Sequence, residues 1–214
     1  MKKLLFLLTG CCSIVIIMCM QTSSSIRGTY ALTGMREMAG AFRFSADGSF
    51  EFFYSYGAAD RMADGRFTEE GNRIILKSSK EAGKDFTVTK QSNTGKGITI
   101  KISAPDPYLA STVRCIVMNG ETKTSIEADN RGIIHTDLPG AEKIYLQHQL
   151  FPDVVTPIKD ENNANNYFEV SLNASLQKIS FKGIDLTVDG DTLRMPANYF
   201  MPFENIRFVK TVEQ

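Results

Sequence analysis

The sequence predicts an all-β protein of antiparallel sheets, and three observations carry that reading. Apolar residues recur at every second position over short runs, the spacing that sets one strand face on a core and the other in water. Turn-forming pairs such as Asp47-Gly48, Asn119-Gly120 and Asp189-Gly190 punctuate those runs. No stretch of useful length carries the 3.6-residue apolar period of a helix. With 214 residues, 43% hydrophobic and 22% charged, the chain can bury a core without staples and is neither disordered nor collagen-like.

The elements follow in chain order. Lys2 and Lys3 precede an almost unbroken apolar run from Leu4 to Met20, and the text turns polar at Gln21-Thr22-Ser23-Ser24-Ser25. Charge, apolar core and small polar exit form the layout of an export signal. Residues 1–20 are therefore read as a signal segment, with a run at the low edge of what an uncleaved anchor needs. Two processings fit. Leu8-Thr9-Gly10-Cys11 resembles a bacterial lipobox and makes Cys11 the lipidation site, Cys19 being preceded by the oversized Met18; cleavage near Thr22-Ser23-Ser24 without a lipid is the other. Loss of the segment removes Lys2 and Lys3 and no acid, leaving a slight acidic excess.

After the signal, Phe42/Phe44, Phe50/Phe52/Tyr54, Ile74/Leu76, Phe86/Val88 and Ile98/Ile100/Ile102 each keep the period of two. Two prolines in Ser103-Ala104-Pro105-Asp106-Pro107 end the last of these runs, because proline cannot donate to a ladder. A boundary is placed there, giving modules 21–104 and 105–214, each sandwich-like or barrel-like. One larger sandwich with a proline-bearing crossover is the alternative. The second half continues with Val113/Cys115/Val117, Ile144/Leu146, Phe168/Val170/Leu172, Ile184/Leu186/Val188 and Ile206/Phe208. The stretch Asp160 to Asn166 is polar throughout and reads as an exposed loop.

Gly28-Thr29-Tyr30, Phe44-x-x-Asp47-Gly48-x-Phe50, Tyr56 to Asp60, Gly65-Arg66-Phe67 and Gly71 to Leu76 occur in that order. Together they resemble a group of uncharacterised exported bacterial β-proteins with a lipocalin-like N-terminal module. The resemblance covers Gly28 to Ser78, departs from the group at Phe67 where Trp is usual, and implies location and fold rather than an activity. Val117 to Ile144 resembles the Ig-like modules of envelope proteins in its turns at Asn119-Gly120, Asp129 and Gly132.

Charge and motif content narrow the function. With 24 Lys+Arg against 24 Asp+Glu and no long basic run, a nucleic-acid partner is not expected. Cys11, Cys12 and Cys19 lie in the signal, so Cys115 is the one thiol left and reads as a small buried hydrophobe between Val113 and Val117. His135 and His148 lack metal-ligand spacing, and His148 continues the core-facing stripe of Ile144 and Leu146. Neither Asp160–Asn166 nor Asp189-Gly190-Asp191 has the pattern of an EF-hand loop, and no metal or cofactor is expected. Nucleophile motifs and phosphate loops are absent. A hydrolase would have to work with carboxylates, for which Glu51, Asp60, Asp64 and Asp85 are available and Glu51 with Asp60 is the first pair.

The most suggestive stretch is Phe53 to Arg61, where Tyr54, Tyr56, Asp60 and Arg61 combine ring faces, hydroxyls, an acid and a base around a small-residue bend. The plainer reading has Tyr54 in the core, Gly57-Ala58 making the turn and Asp60 with Arg61 capping it. The expected function is that of an exported cell-envelope protein, lipid-anchored or not, that binds a partner protein or envelope ligand without catalysis. A carboxylate hydrolase and a structural accessory subunit with pairing edge strands are the alternatives.

Overall fold

The computed structural model describes residues 26–138 and 141–212; the signal segment, Cys11 and the Thr22-Ser23-Ser24 cleavage site lie outside the described residues. Five strands come first: β1 (Gly28–Thr33), β2 (Met38–Phe44), β3 (Ser49–Tyr56), β4 (Ala59–Glu70) and β5 (Arg73–Ser78). The β2–β3 hairpin turns at Asp47-Gly48 as its sequence predicts. Gly48 takes a φ of +81°, which side chains resist, and Asp47 Oδ1 accepts the Ser49 amide at 2.9 Å. Next come β6 (Phe86–Ser92), β7 (Ile98–Ser103), a short helix α1 (Pro107–Ser111), β8 (Val113–Asn119), β9 (Thr122–Glu127), β10 (Ile133–Thr136), β11 (Lys143–His148), β12 (Thr156–Lys159) and β13 (Tyr167–Leu172). The chain ends with β14 (Leu186–Asp189), β15 (Thr192–Met195) and β16 (Ile206–Lys210).

β1 to β5 and β14 to β16 close into an eight-stranded antiparallel barrel in the order β1-β16-β15-β14-β5-β4-β3-β2. Its inward positions are those that the alternation marks: Phe42, Phe44, Phe50, Phe52, Ile74, Leu193 and Phe208 are all buried. The aromatic rings meet edge-on or tilted, with Phe42 4.5 Å from Phe52 and 4.9 Å from Phe208 between centroids. Phe181, from the segment that leads into β14, packs against Phe42, Phe50 and Phe52. Buried rings from several strands meet across the barrel, so its interior is a core of side chains.

The other eight strands make a two-layer sandwich between β5 and β14, with sheets β10-β7-β13-β6 and β12-β11-β8-β9. Ile98, Ile100, Ile102, Phe168 and Val170 of the first layer share one core with Val113, Cys115, Val117, Ile144 and Leu146 of the second. β7 and β13 run parallel, an exception to the antiparallel pattern. The boundary expected at Ser103–Pro107 does not divide these units. β7, before it, pairs with β10 and β13, after it, while the barrel takes strands from both ends of the chain. The prolines there do end β7, but for a local purpose. The Asp106 side chain accepts the Tyr108 amide as N-cap, and Pro107 sits in the first turn of α1. The Asp160–Asn166 loop is also less exposed than its composition suggests. Asn166 is half-buried and uses both ends of its side-chain amide, Oδ1 accepting from Thr94 N at 2.9 Å and Nδ2 donating to the Gly97 carbonyl at 2.9 Å.

Candidate functional site

Where the barrel meets the sandwich, a cleft of about 360 Å³ opens. One wall is barrel: Tyr54 and Tyr56 at the end of β3, Arg61 on β4, and Tyr199, Phe200 and Phe203 from the β15–β16 connection. The other is the Gln149–Pro152 segment that follows β11. Tyr54 is 3% exposed and lies edge-on to Phe200 at 6.0 Å, so it belongs to the core and to the cleft floor together. Tyr56 is 44% exposed and meets Phe203 edge-on at 6.2 Å at the rim. Aromatic and proline surfaces dominate this lining, and burial pushes the Tyr54 hydroxyl above the usual tyrosine range.

Under the floor lies a buried polar network. Arg61 is 1% exposed, and its guanidinium donates to three backbone carbonyls: Gln177 at 3.0 Å, Pro152 at 3.1 Å and Lys178 at 3.2 Å. Burial lowers its pKa, while Asp153 and Asp85 act in the opposite direction. The Lys80 ammonium, from the β5–β6 connection, lies 2.6 Å from Asp85, 2.8 Å from Asp153 and 2.7 Å from the Lys178 carbonyl. Asp153 Oδ1 accepts from the Val154 amide at 2.7 Å and the Ser180 hydroxyl at 2.6 Å, and Oδ2 accepts the Ser180 amide at 3.0 Å. Ser180 Oγ reaches the Tyr199 hydroxyl at 3.1 Å, and burial raises the Tyr199 pKa. Barrel, sandwich and both connections between them thus bond to one another through a few buried charges.

Of the four residues that sequence singles out for binding, Tyr54, Tyr56 and Arg61 come together. Asp60 does not. It pairs with Ser55 on the outer face of the barrel, because successive strand residues point to opposite sides. Nor does Arg61 cap the β3–β4 bend. Its strand register puts it on the inward side with Ala63, where it anchors carbonyls of distant segments. The Glu51–Asp60 pair is not convergent. Glu51 is ion-paired with Arg43 on the outer wall, and Asp60 lies opposite Ser55, four residues along β3, roughly 13 Å away. That separation exceeds the roughly 5–9.5 Å between glycosidase carboxylates. Sequence reasoning missed the opposite wall and part of the barrel wall, although Leu150-Phe151-Pro152 and Tyr199-Phe200-Met201-Pro202-Phe203 are two conspicuous aromatic and proline runs.

The histidines lie on different sheets. His135 on β10 is exposed and bonds Thr99 Oγ1 at 3.0 Å. His148 on β11 is fully buried: its Nδ1 accepts the Phe151 amide at 3.2 Å, so Nε2 carries the proton and donates to the Leu109 carbonyl at 3.1 Å. Burial lowers its pKa to about 4. Cys115 is wholly buried in the sandwich core, as the strand alternation predicts, and burial pushes its thiol up to about 12. No protein-family model matches the chain, and no curated protein matches it either.

Proposed function

We propose that this chain is an exported cell-envelope protein that binds a partner or envelope component, without catalysis, in the cleft between barrel and sandwich. The observation that carries the reading is the cleft itself, an open aromatic-lined depression of about 360 Å³ whose walls come from both units. Mostly apolar concavities with a few polar groups are the ordinary form of a ligand site. Tyr54, Tyr56 and Tyr199 supply flat rings with hydroxyls, which suit an amphipathic ligand such as a glycan or a lipid-linked fragment. Arg61 supports the floor: it is 1% exposed, and each of its three guanidinium nitrogens donates to a backbone carbonyl.

Export rests on the signal layout of residues 1–20, and the lipid anchor on Cys11. Cys11→Ser should release the protein from membranes; acyl labelling that persists would remove Cys11 from the reading. The binding half is tested by thermal shift of the full chain against glycans, peptidoglycan fragments, lipids and divalent ions with EDTA controls. A ligand at 100 times its Kd stabilises by about 2.7 kcal/mol, or roughly 5–10 °C of midpoint for a chain of this size. Tyr56→Ala, at an exposed position, should abolish that shift while leaving the unliganded midpoint in place. A flat screen, or a shift that Tyr56→Ala leaves intact, overturns the cleft as the site.

A further inference from the structure

The Lys80–Asp85–Asp153 cluster holds chemistry that the cleft does not use. The Lys80 side chain is 1% exposed, that of Asp85 5% and that of Asp153 0%, so bulk water is excluded from all three. The two carboxyl groups are not equivalent. Asp153 accepts two backbone amides and a hydroxyl besides Lys80, so both of its oxygens are held in place by several donors. Asp85 Oδ1 has no hydrogen-bond partner: the Lys80 nitrogen stands 2.6 Å away without the alignment of a hydrogen bond. Burial pushes the Asp85 carboxyl above the usual carboxylate range, against the pull of Lys80, and the charge of Asp153 adds to the rise. The site thus holds the Lys80 nitrogen between two buried carboxyl groups, 2.6 Å from Asp85 Oδ1 and 2.8 Å from Asp153 Oδ2.

We propose that Lys80 and Asp85 become joined by a side-chain amide bond, with Asp153 as the proton acceptor. The ammonium passes one proton to the Asp153 carboxylate, and the freed Nζ lone pair attacks Cγ of the protonated Asp85. A second Nζ proton, relayed by Asp153, goes to the departing hydroxyl, which leaves as water. The balance closes. One ammonium, one carboxylic acid and one carboxylate become one amide, one water and a protonated Asp153, with net charge zero before and after. Two features favour the step: the reactants are held at contact distance, and the dry surroundings disfavour the ionised forms that make amide formation uphill in water. The product replaces a buried ion pair by a neutral amide, which relieves the desolvation that burying both charges costs.

The test is a peptide map of the purified, denatured full chain after trypsin digestion. An acylated Lys80 is no longer a trypsin site. The expected product is the peptide 78–84, uncut after Lys80, joined to the peptide 85–90; it has the mass of a linear 78–90, and N-terminal sequencing separates the two, since the joined pair releases Ser78 and Asp85 together in the first cycle whereas the linear peptide, which would overturn the proposal, releases Ser78 alone. Lys80→Arg should give the separate peptides at full mass, which sets the link apart from water loss at an Asp-Gly turn elsewhere. In Asp153→Asn protein purified with native far-UV circular dichroism, the two peptides should stay unlinked; a link there would remove Asp153 from the step. Ordinary cleavage after Lys80 in the parent chain, or a link from Lys80 to the peptide carrying Asp153, overturns the proposal.

Discussion

Burial of His148 makes the fold acid-sensitive. The residue stands at the end of β11 with its side chain fully buried, stacked on Phe151 at 5.2 Å and wedged under α1 through the Leu109 carbonyl. Protonation would place a second N–H on Nδ1, against the Phe151 amide that now donates to it. The pKa is about 4 in the folded chain against 6.5 for an unperturbed histidine. Between those values the unfolded chain holds one more proton than the folded one. Stability contributed by neutral His148 is therefore complete above pH 6.5 and falls as pH drops, at about 1.36 kcal/mol per unit. Over the window to pH 4 the loss is about 3 kcal/mol, and below it both states are protonated and the loss stops. Urea unfolding followed by far-UV circular dichroism, at pH steps from 7 to 4, measures it. His148→Gln, which does not titrate and keeps an amide for the Leu109 carbonyl, supplies the reference, so that carboxylates and His135 cancel in the difference. A parent-minus-variant difference that stays flat across the window would refute the reasoning.

Other substitutions test separate parts of the molecule. Arg61→Met leaves three carbonyls at the junction without donors and should cost about 3–5 kcal/mol in urea unfolding, and Arg61→Lys should recover only part of it because one ammonium does not span all three. Phe42→Ala empties the centre of the barrel and should cost about 3–5 kcal/mol by the same assay; under 1 kcal/mol would mean the rings are not close-packed. In Gly65→Ala the new Cβ would meet the Lys77 carbonyl oxygen at 2.1 Å, so the loss should exceed about 4 kcal/mol. Gly71→Ala, with a φ of +64° but open space around it, should lose only about 1–2 kcal/mol. Cys115 should resist a thiol reagent at neutral pH until the chain unfolds globally; labelling faster than unfolding would place it outside the core.

Much of this fold is legible because a period of two reports which face a residue takes. It marks Phe42, Phe52, Cys115 and His148 as inward; Arg61, read from sequence as a binding or capping residue, is on the inward side with Ala63. Periodicity does not report which strand lies next door. The pairings β1–β16 and β5–β14 and the parallel pair β7–β13 join segments far apart in the chain, so a local break at Pro105 and Pro107 looked like a domain boundary. The candidate site divides the same way. Tyr54, Tyr56 and Arg61 are legible because they share one hairpin, whereas Tyr199–Phe203 and Gln149–Pro152 reach the cleft only through barrel closure and the placing of the sandwich.

That closure also imposes an order in time. β1 leaves the ribosome long before its second neighbour, Ile206–Lys210. At 5–20 residues per second, residues 79–210 take on the order of ten seconds to synthesise. During that interval the β1–β5 meander has two unpaired edges, at β1 and at β5, whereas the sandwich has all of its strands as soon as β13 is made, before β14 to β16. A nascent chain of this design is safest if something keeps the meander apart from its own copies until β14 to β16 arrive. Loss of β16 alone would leave the β1 and β15 edges open for good.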